Sequence, residues 1–259
     1  MPHHEPLSVL ITGGSSGIGE ALALLYAKPG CTLFICGLNE LRLTQVADKC
    51  EKKGATVFWH IQDVTNQKTM ANWIIESDQK QPIDLVIANA GVSGGNDGDM
   101  ESIDQTVQIM ETNFFGVLYS LIPTIEIMKK RRKGQIAIVS SLAGLKGFPG
   151  APAYCASKAA IKIWGDALRP SLKVDGINLS VICPGFVGTR MTDQNKFPMP
   201  FLMSADRAAR IIKKSLKSHK PLIVFPKITY LAIRFLNLLP AIITDKLLYR
   251  LPKKQKISD

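Results

Sequence analysis

Cysteine is scarce and unpaired in this chain. The five residues Cys31, Cys36, Cys50, Cys155 and Cys183 are odd in number and share no C-x-x-C spacing. Neither a disulfide framework nor a zinc site is therefore expected, and the thiols read as reduced. His3 and His4 sit beside Pro2 and Pro6 with no third ligand nearby, so no metal is expected there. A long apolar run is also missing. The richest stretch, Ile228 to Ile243, is broken by Arg234 and Pro240, whereas a bilayer span needs about 20 apolar residues. There is no room for a leader either, because Ser8 to Ile11 already reads as a first strand, and a cytoplasmic location is expected. The C-terminal fifth lacks acid. From Arg207 onward 13 Lys and Arg stand against 2 Asp and Glu, while the residues up to Asp206 carry 19 of each, so the tail supplies the whole net charge of +11. A neutral body argues against a nucleic-acid partner.

What is present is an alternation. Leu7 to Thr12, Cys31 to Cys36, Thr56 to Ile61, Ile83 to Ala88, Gln135 to Ser140, Ile177 to Cys183 and Leu222 to Phe225 read as strands, with amphipathic stretches of helical length between them. Strands apolar on both faces, each followed by a helix, predict an α/β fold: a doubly wound parallel sheet of about seven strands, covered by helices on both sides. No repeat, low-complexity linker or composition break appears before Asp206. One domain over 1–259 is expected.

Two segments carry chemistry. The first strand runs into Thr12-Gly13-Gly14-Ser15-Ser16-Gly17-Ile18-Gly19 and then a helical stretch from Glu20 to Lys28. Glycines there permit a tight turn and close backbone approach, and the helix start offers free N–H groups to a pyrophosphate. No Lys-Ser/Thr pair follows, which excludes a P-loop. Further on, Tyr154 and Lys158 fall four residues apart on one helix face. An ammonium beside a phenol favours the phenolate, so Lys158 is expected to pull the Tyr154 pKa down from about 10. Such a pair can be an acid/base, or merely a surface pair.

The spacing T-G-x-x-x-G-x-G together with Y-x-x-x-K resembles the short-chain dehydrogenase/reductase family. Further matches are Asn89-Ala90-Gly91, Asn113, Ser140-Ser141-Leu142-Ala143-Gly144, and Pro184-Gly185 with Thr189, all in the family's order between Val9 and Thr189. The resemblance implies a Rossmann-type domain and an NAD(P)-dependent oxidoreductase interconverting a carbonyl and an alcohol. On that reading Tyr154 passes the proton, Lys158 tunes it and holds the nicotinamide ribose, and Ser141 donates to the substrate oxygen. Ser140 is the alternative to Ser141. Asn113 would hold a water linking Lys158 to solvent, or else pack a helix kink. Asp63, with Val64, would meet the adenine, or else cap the next helix, which Thr65 or Asn66 could also do. Asn89, with Ala90 and Gly91, would steady the sheet end near the adenosine, and the backbone of Pro184, Gly185, Val187 and Thr189 would meet the carboxamide and diphosphate. A nucleotide-binding sensor that kept the fold without the chemistry is the rival reading.

The cofactor is less plainly written. Gly37 stands where NAD-type members carry an acid and Leu38 where NADP-type members carry Arg. With the acid gone, Asn39 or Arg42 could reach a 2′-phosphate, and NADP is expected over NAD. Phe186 to Ser204 occupies the family's substrate lid. Its Met191, Phe197, Met199, Phe201, Leu202 and Met203 suggest a lipophilic substrate, or simply a loop packed on the body. Gly94 to Asp99 would border the same cleft as a mobile loop. The extension 207–259, apolar and basic, would lie on an anionic membrane as a peripheral contact, pack on the body, or join a dimer. The resemblance implies a homodimer or homotetramer through the helices predicted over Asp104 to Lys133 and Ala153 to Val174.

Overall fold

Strand β1 (Ser8–Thr12) turns Val9 and Ile11 to one face of the sheet and Leu10 to the other, and all three are fully buried. The period of two that separates them is the pleat itself. In this computed structural model, residues 6–96, 100–195 and 197–249 are described; His3, His4, Arg250, Lys253, Lys254 and Lys256 lie outside them. After β1 the chain runs through α1 (Gly17–Tyr26), β2 (Thr32–Gly37), α2 (Glu40–Glu51), β3 (Thr56–Ile61), α3 (Gln67–Lys80) and β4 (Leu85–Ala88). It continues through α4 (Ile103–Met110), α5 (Gly116–Arg131), β5 (Gly134–Val139), α6 (Pro152–Val174) and β6 (Ile177–Pro184). The remainder is β7 (Val187–Gly188), α7 (Arg190–Asp193), β8 (Met203–Ser204), α8 (Ala205–Lys217), β9 (Leu222–Phe225), α9 (Lys227–Leu236) and α10 (Ala241–Leu248).

The main sheet has seven strands in the order β3-β2-β1-β4-β5-β6-β9, every pair parallel. It is a Rossmann-type doubly wound sheet, as expected. One apolar layer joins Val9, Ile11, Leu33, Ile35, Leu85 and Ile87 to α1, α2 and α8. The opposite layer joins Leu10, Phe34, Val86, Ile136 and Ile138 to α3, α5 and α6.

Three details differ from expectation. Strand β3 is not buried on both faces: as the edge strand it leaves Phe58, Trp59 and Ile61 exposed. Phe58 stacks on Phe34 at 5.3 Å under the Lys80 ammonium, and His60 stacks on Trp73. Helix α1 starts at Gly17, inside the glycine segment rather than after it, with Ser16 as its N-cap. The helix expected over 104–133 is broken by a π-turn, Glu111–Phe115, between α4 and α5.

Candidate active site

The order of strands reverses between β1 and β4, and the loops leaving those two strands open a crevice at the sheet's C-terminal edge. Thr12 and Asn89 tie its walls together. Thr12 Oγ1 accepts from the backbone N–H groups of Asn89 at 3.0 Å and Ala90 at 3.1 Å, while Asn89 Nδ2 donates to the carbonyls of Thr12 and Gly13. Gly13 adopts φ +66°, and a Cβ there would sit 2.8 Å from Ala90 Cα, so only glycine lets the two loops close up. Ser15 is buried behind the loop, Ile18 packs on the apolar layer, and a Cβ at Gly19 would strike the Gly13 carbonyl at 2.1 Å. No side chain caps the start of α1. Across from it stands Thr189, whose Cγ2 would lie 2.8 Å from a Cβ on Gly17. A side-chain-free cradle at an uncapped helix start fits a pyrophosphate.

The ribose end of the crevice explains the missing acid. A Cβ at Gly37 would come within 2.8 Å of Ser15 Oγ, so an Asp or Glu would displace the serine. Leu38 is exposed. Asn39 caps α2, its side chain accepting from Arg42 N at 3.0 Å, which holds Arg42 in the first turn. There the Arg42 Nε is buried with no hydrogen-bond partner. A donor left unmet in this way fits an anionic group on the ribose. At the adenine end, the Asp63 carboxylate accepts from Thr65 N at 2.9 Å and Thr65 Oγ1 at 2.8 Å, and Asn66 rather than Asp63 caps α3. The Val64 side chain is core, with Cγ2 2.7 Å from where a Gly116 Cβ would be. An adenine contact by that side chain is thereby corrected, leaving only its backbone for the part.

Helix α6 brings the reactive groups together. Pro152 opens it with preset φ, and Ala153 N donates to Glu101 Oε2 at 2.8 Å, an acid at the positive helix end. One turn on, Tyr154 is half-buried and Lys158 only 4% exposed. Ser141, leaving β5, is hydrogen-bonded to the Tyr154 phenol, so Ser141 rather than Ser140 faces the reacting position. Ser140 instead donates to the Lys158 carbonyl at 2.7 Å and pins α6 to β5. The Lys158 Nζ donates to the Val139 carbonyl at 3.1 Å and stands 5.8 Å from the Tyr154 ring centroid.

The expected lowering of the phenol is overturned. Burial pushes Tyr154 up to about 12, outweighing the Ser141 hydrogen bond that acts downward, with a small further rise from Cys155. Burial likewise brings Lys158 down to about 8, against a small opposing effect of Cys183. Desolvation dominates both shifts, because neither charged form has enough compensating contacts. Tyr154 is therefore a phenol at neutral pH.

Asn113 is fully buried inside the π-turn. Its Oδ1 accepts from Val92 N at 2.8 Å, and its Nδ2 donates to the Val92 carbonyl and to Ser157 Oγ. The amide braces the backbone beside Gly91 and gives both of its Nδ2 donors to the protein. A Cβ at Gly91 would fall 3.0 Å from Asn113 Oδ1 and 3.3 Å from Lys158 Nζ, closing the gap between them. Ser157 and Glu101 are the supports that sequence reasoning missed. Ser157 was signalled only by sharing the Tyr154 face at i+3.

The substrate side is partly core and partly open. Pro184 ends β6, and Gly185 N donates to the Phe225 carbonyl at 2.7 Å. The segment 186–204 is clipped at its base, where β7 pairs with β8 and buries Val187 and Met203. Phe186 meets Phe197 edge-on at 6.1 Å, while Phe201 and Leu202 are exposed. Of the loop 94–99, residues 97–99 lie outside the described residues; the rest is tethered, Gly95 O accepting from Gln105 and Asn96 N donating to Gly150 O.

The model of the short-chain dehydrogenase family matches residues 8–198. The chain belongs to this family. It is an oxidoreductase acting between CH–OH and C=O with a nicotinamide cofactor. This dehydrogenase is 34% identical over 245 residues to an uncharacterized oxidoreductase of Myxococcus xanthus, covering 94% of this chain and 97% of that one. It is 33% identical to a cyclopentanol dehydrogenase of Comamonas testosteroni, over 79% of each chain. A 3beta-hydroxysteroid dehydrogenase of Mediterraneibacter gnavus is 32% identical, with 72% of this chain and 68% of that one covered. Among solved structures, a short-chain dehydrogenase/reductase from Burkholderia phymatum in complex with NAD superposes over 100% of both chains with TM-score 0.84 at 22% identity, a likeness of fold.

Proposed function

We propose that this dehydrogenase interconverts a lipophilic secondary alcohol and its ketone, with NADP as the preferred cofactor. The observation that carries the reading is the Tyr154 phenol, set beside Ser141 and one turn before Lys158 on α6 and held protonated at neutral pH by burial. Such a group is ready to donate to a carbonyl oxygen, and Ser141 supplies a second donor to the same oxygen as charge develops there. The bound nicotinamide would supply or accept the hydride. The chain does the rest: the glycine cradle and Thr189 hold the diphosphate, Lys158 holds the ribose and moves a proton near Tyr154, and Asn113 keeps the Gly91 backbone out of their way.

Preference for NADP is supported by the absence of an acid at Gly37 and by the unmet Arg42 Nε. A lipophilic substrate is supported by the exposed Phe201 and Leu202 on the lid, and by alicyclic alcohols in the names of two relatives. We read the chain as one catalytic domain with 186–204 as lid. We read it also as a homo-oligomer, given exposed Ile103 and Val107 on α4, Phe115 and Ile122 beside and on α5, and Ile163 on α6. Five cysteines, all buried and free, are what a reducing cytoplasm would leave.

The test is a panel of alicyclic ketones and secondary alcohols with NADPH or NADH, followed by nicotinamide absorbance. Turnover is expected with NADPH, and Tyr154→Phe should lower kcat about 100-fold or more while NADPH binding, read by fluorescence, stays as in the wild type. Undiminished kcat in that variant removes Tyr154 from its role. A lower KM for NADH than for NADPH reverses the cofactor assignment.

A further inference from the structure

Helix α9 leaves β9 at the C-terminal edge of the sheet, the edge where the glycine cradle and Ser141 lie. It is fastened on one side only. Ile233 is buried in the apolar layer, and Asn237 Nδ2 donates at 2.9 Å to the carbonyl of Leu145, the residue that ends the turn following Ser141. At 100° per residue the opposite side of the helix carries Ile228, Leu231 and Phe235 within an arc of about 60°, and Leu238 follows in the turn that ends it. These four are 58%, 64%, 62% and 81% exposed. Helix α10 repeats the arrangement: Thr244 and Leu248 are buried, while Ile242 and Leu247 are exposed. Two successive helices thus turn apolar side chains to solvent, which a monomer in water does not favour.

Its charge says what covers it. Lys227 and Arg234 lie within about 60° of one edge of the α9 apolar arc, and Lys246 stands beside Ile242 on α10; all three are exposed. The sequence from Arg207 onward carries 13 basic against 2 acidic residues. A second copy packed two-fold on this surface would set that basic fringe against itself. An anionic lipid surface would neutralise it while taking up the apolar arc. None of the described helices is long and apolar enough to cross a bilayer, so contact is limited to the interface.

We infer that the exposed sides of α9 and α10 dock this dehydrogenase peripherally on an anionic lipid bilayer, with the apolar arc in the headgroup region and Lys227, Arg234 and Lys246 against lipid phosphates and carboxylates. The cleft then opens at the membrane side of the molecule, where a lipophilic substrate is concentrated.

The test is sedimentation of the full chain with sucrose-loaded vesicles of phosphatidylcholine alone or mixed with phosphatidylserine, alongside its mass by light scattering. The wild type should pellet with the mixed vesicles, stay in the supernatant with the neutral ones, and release with added salt. Charge reversal by Lys227→Glu and Arg234→Glu should weaken partition about fivefold or more for each residue. The triple variant Leu231→Gln, Phe235→Gln and Leu238→Gln should lose pelleting while keeping its circular dichroism. All five sites are exposed, so one variant set remains should the other misfold. Pelleting by the triple variant equal to the wild type would mean simple polyanion adsorption and overturn the inference. So would a wild type that never pellets, or a triple variant whose only change is a smaller oligomeric mass. Docking is separable from turnover: Tyr154→Phe should pellet as the wild type does.

Discussion

Tyr154 and Lys158 hold opposite departures from their ordinary titration for one cause, removal from water, and this fixes how the fold responds to pH. Lys158 titrates near 8 in the folded chain against an ordinary 10.5. Between those values the unfolded chain binds more protons at this site, so stability rises with pH. Tyr154 titrates near 12 against an ordinary 10.0. Between those values the unfolded phenol has already released its proton, so stability falls as pH rises. Below about pH 8 the folded chain therefore carries the full cost of a buried ammonium, about 3 kcal/mol. Lys158→Met removes that cost and leaves the Val139 carbonyl without its donor, a loss of about 1 kcal/mol. A net gain of about 2 kcal/mol is expected at pH 7, shrinking toward pH 10.5, read from urea midpoints at the two pH values; a variant less stable at pH 7 would refute it. The pair was legible in the sequence because i, i+4 spacing sets two side chains on one face. The sign of the Tyr154 shift was not, because burial at β5 and β6 depends on strand neighbours that spacing does not name.

The α4–α5 rod shows the same limit at the scale of an element. Its amphipathic period predicted one continuous helix, and the period continues through the π-turn because a single widened turn shifts the face without ending it. That turn carries Asn113 inward to Val92 and Ser157. Asn113→Ala should strip both backbone groups of Val92 of their partners at a fully buried site, costing about 2–4 kcal/mol. The thermal midpoint should drop by roughly 5–15 °C at this chain length, with NADPH affinity falling alongside. A midpoint unchanged within error would show that water replaces the amide and that the brace is dispensable. Seven strands were readable because Val, Ile and Leu runs of four to eight residues have few other homes. The β7–β8 pair was not, since two residues carry no period. Buried Met203, read as part of a lid, is core because that short ladder folds it inward.

Over the whole molecule, two surfaces need covering, and their charges separate them. The exposed sides of α9 and α10 are apolar with a basic fringe. The face built from α4, α5 and α6 exposes Ile103, Val107, Ile122 and Ile163, with Phe115 stacked on Tyr119 beside them, and it carries both signs of charge, acids Asp104 and Glu111 toward one end and Lys129 and Lys130 at the other. An apolar patch with mixed charge can meet a copy of itself without repulsion, as a two-fold contact requires. Light scattering of the wild type should therefore give a mass of at least twice the 28.4 kDa chain. Val107→Glu with Phe115→Glu would bring four like charges into the contact in each pair of subunits, a desolvation cost of several kcal/mol. The variant should run as a monomer with its circular dichroism intact. Because neither residue lies on α9 or α10, vesicle pelleting should persist in it. A wild type that is already monomeric, or a variant of unchanged mass, would leave these helices without the partner assigned to them.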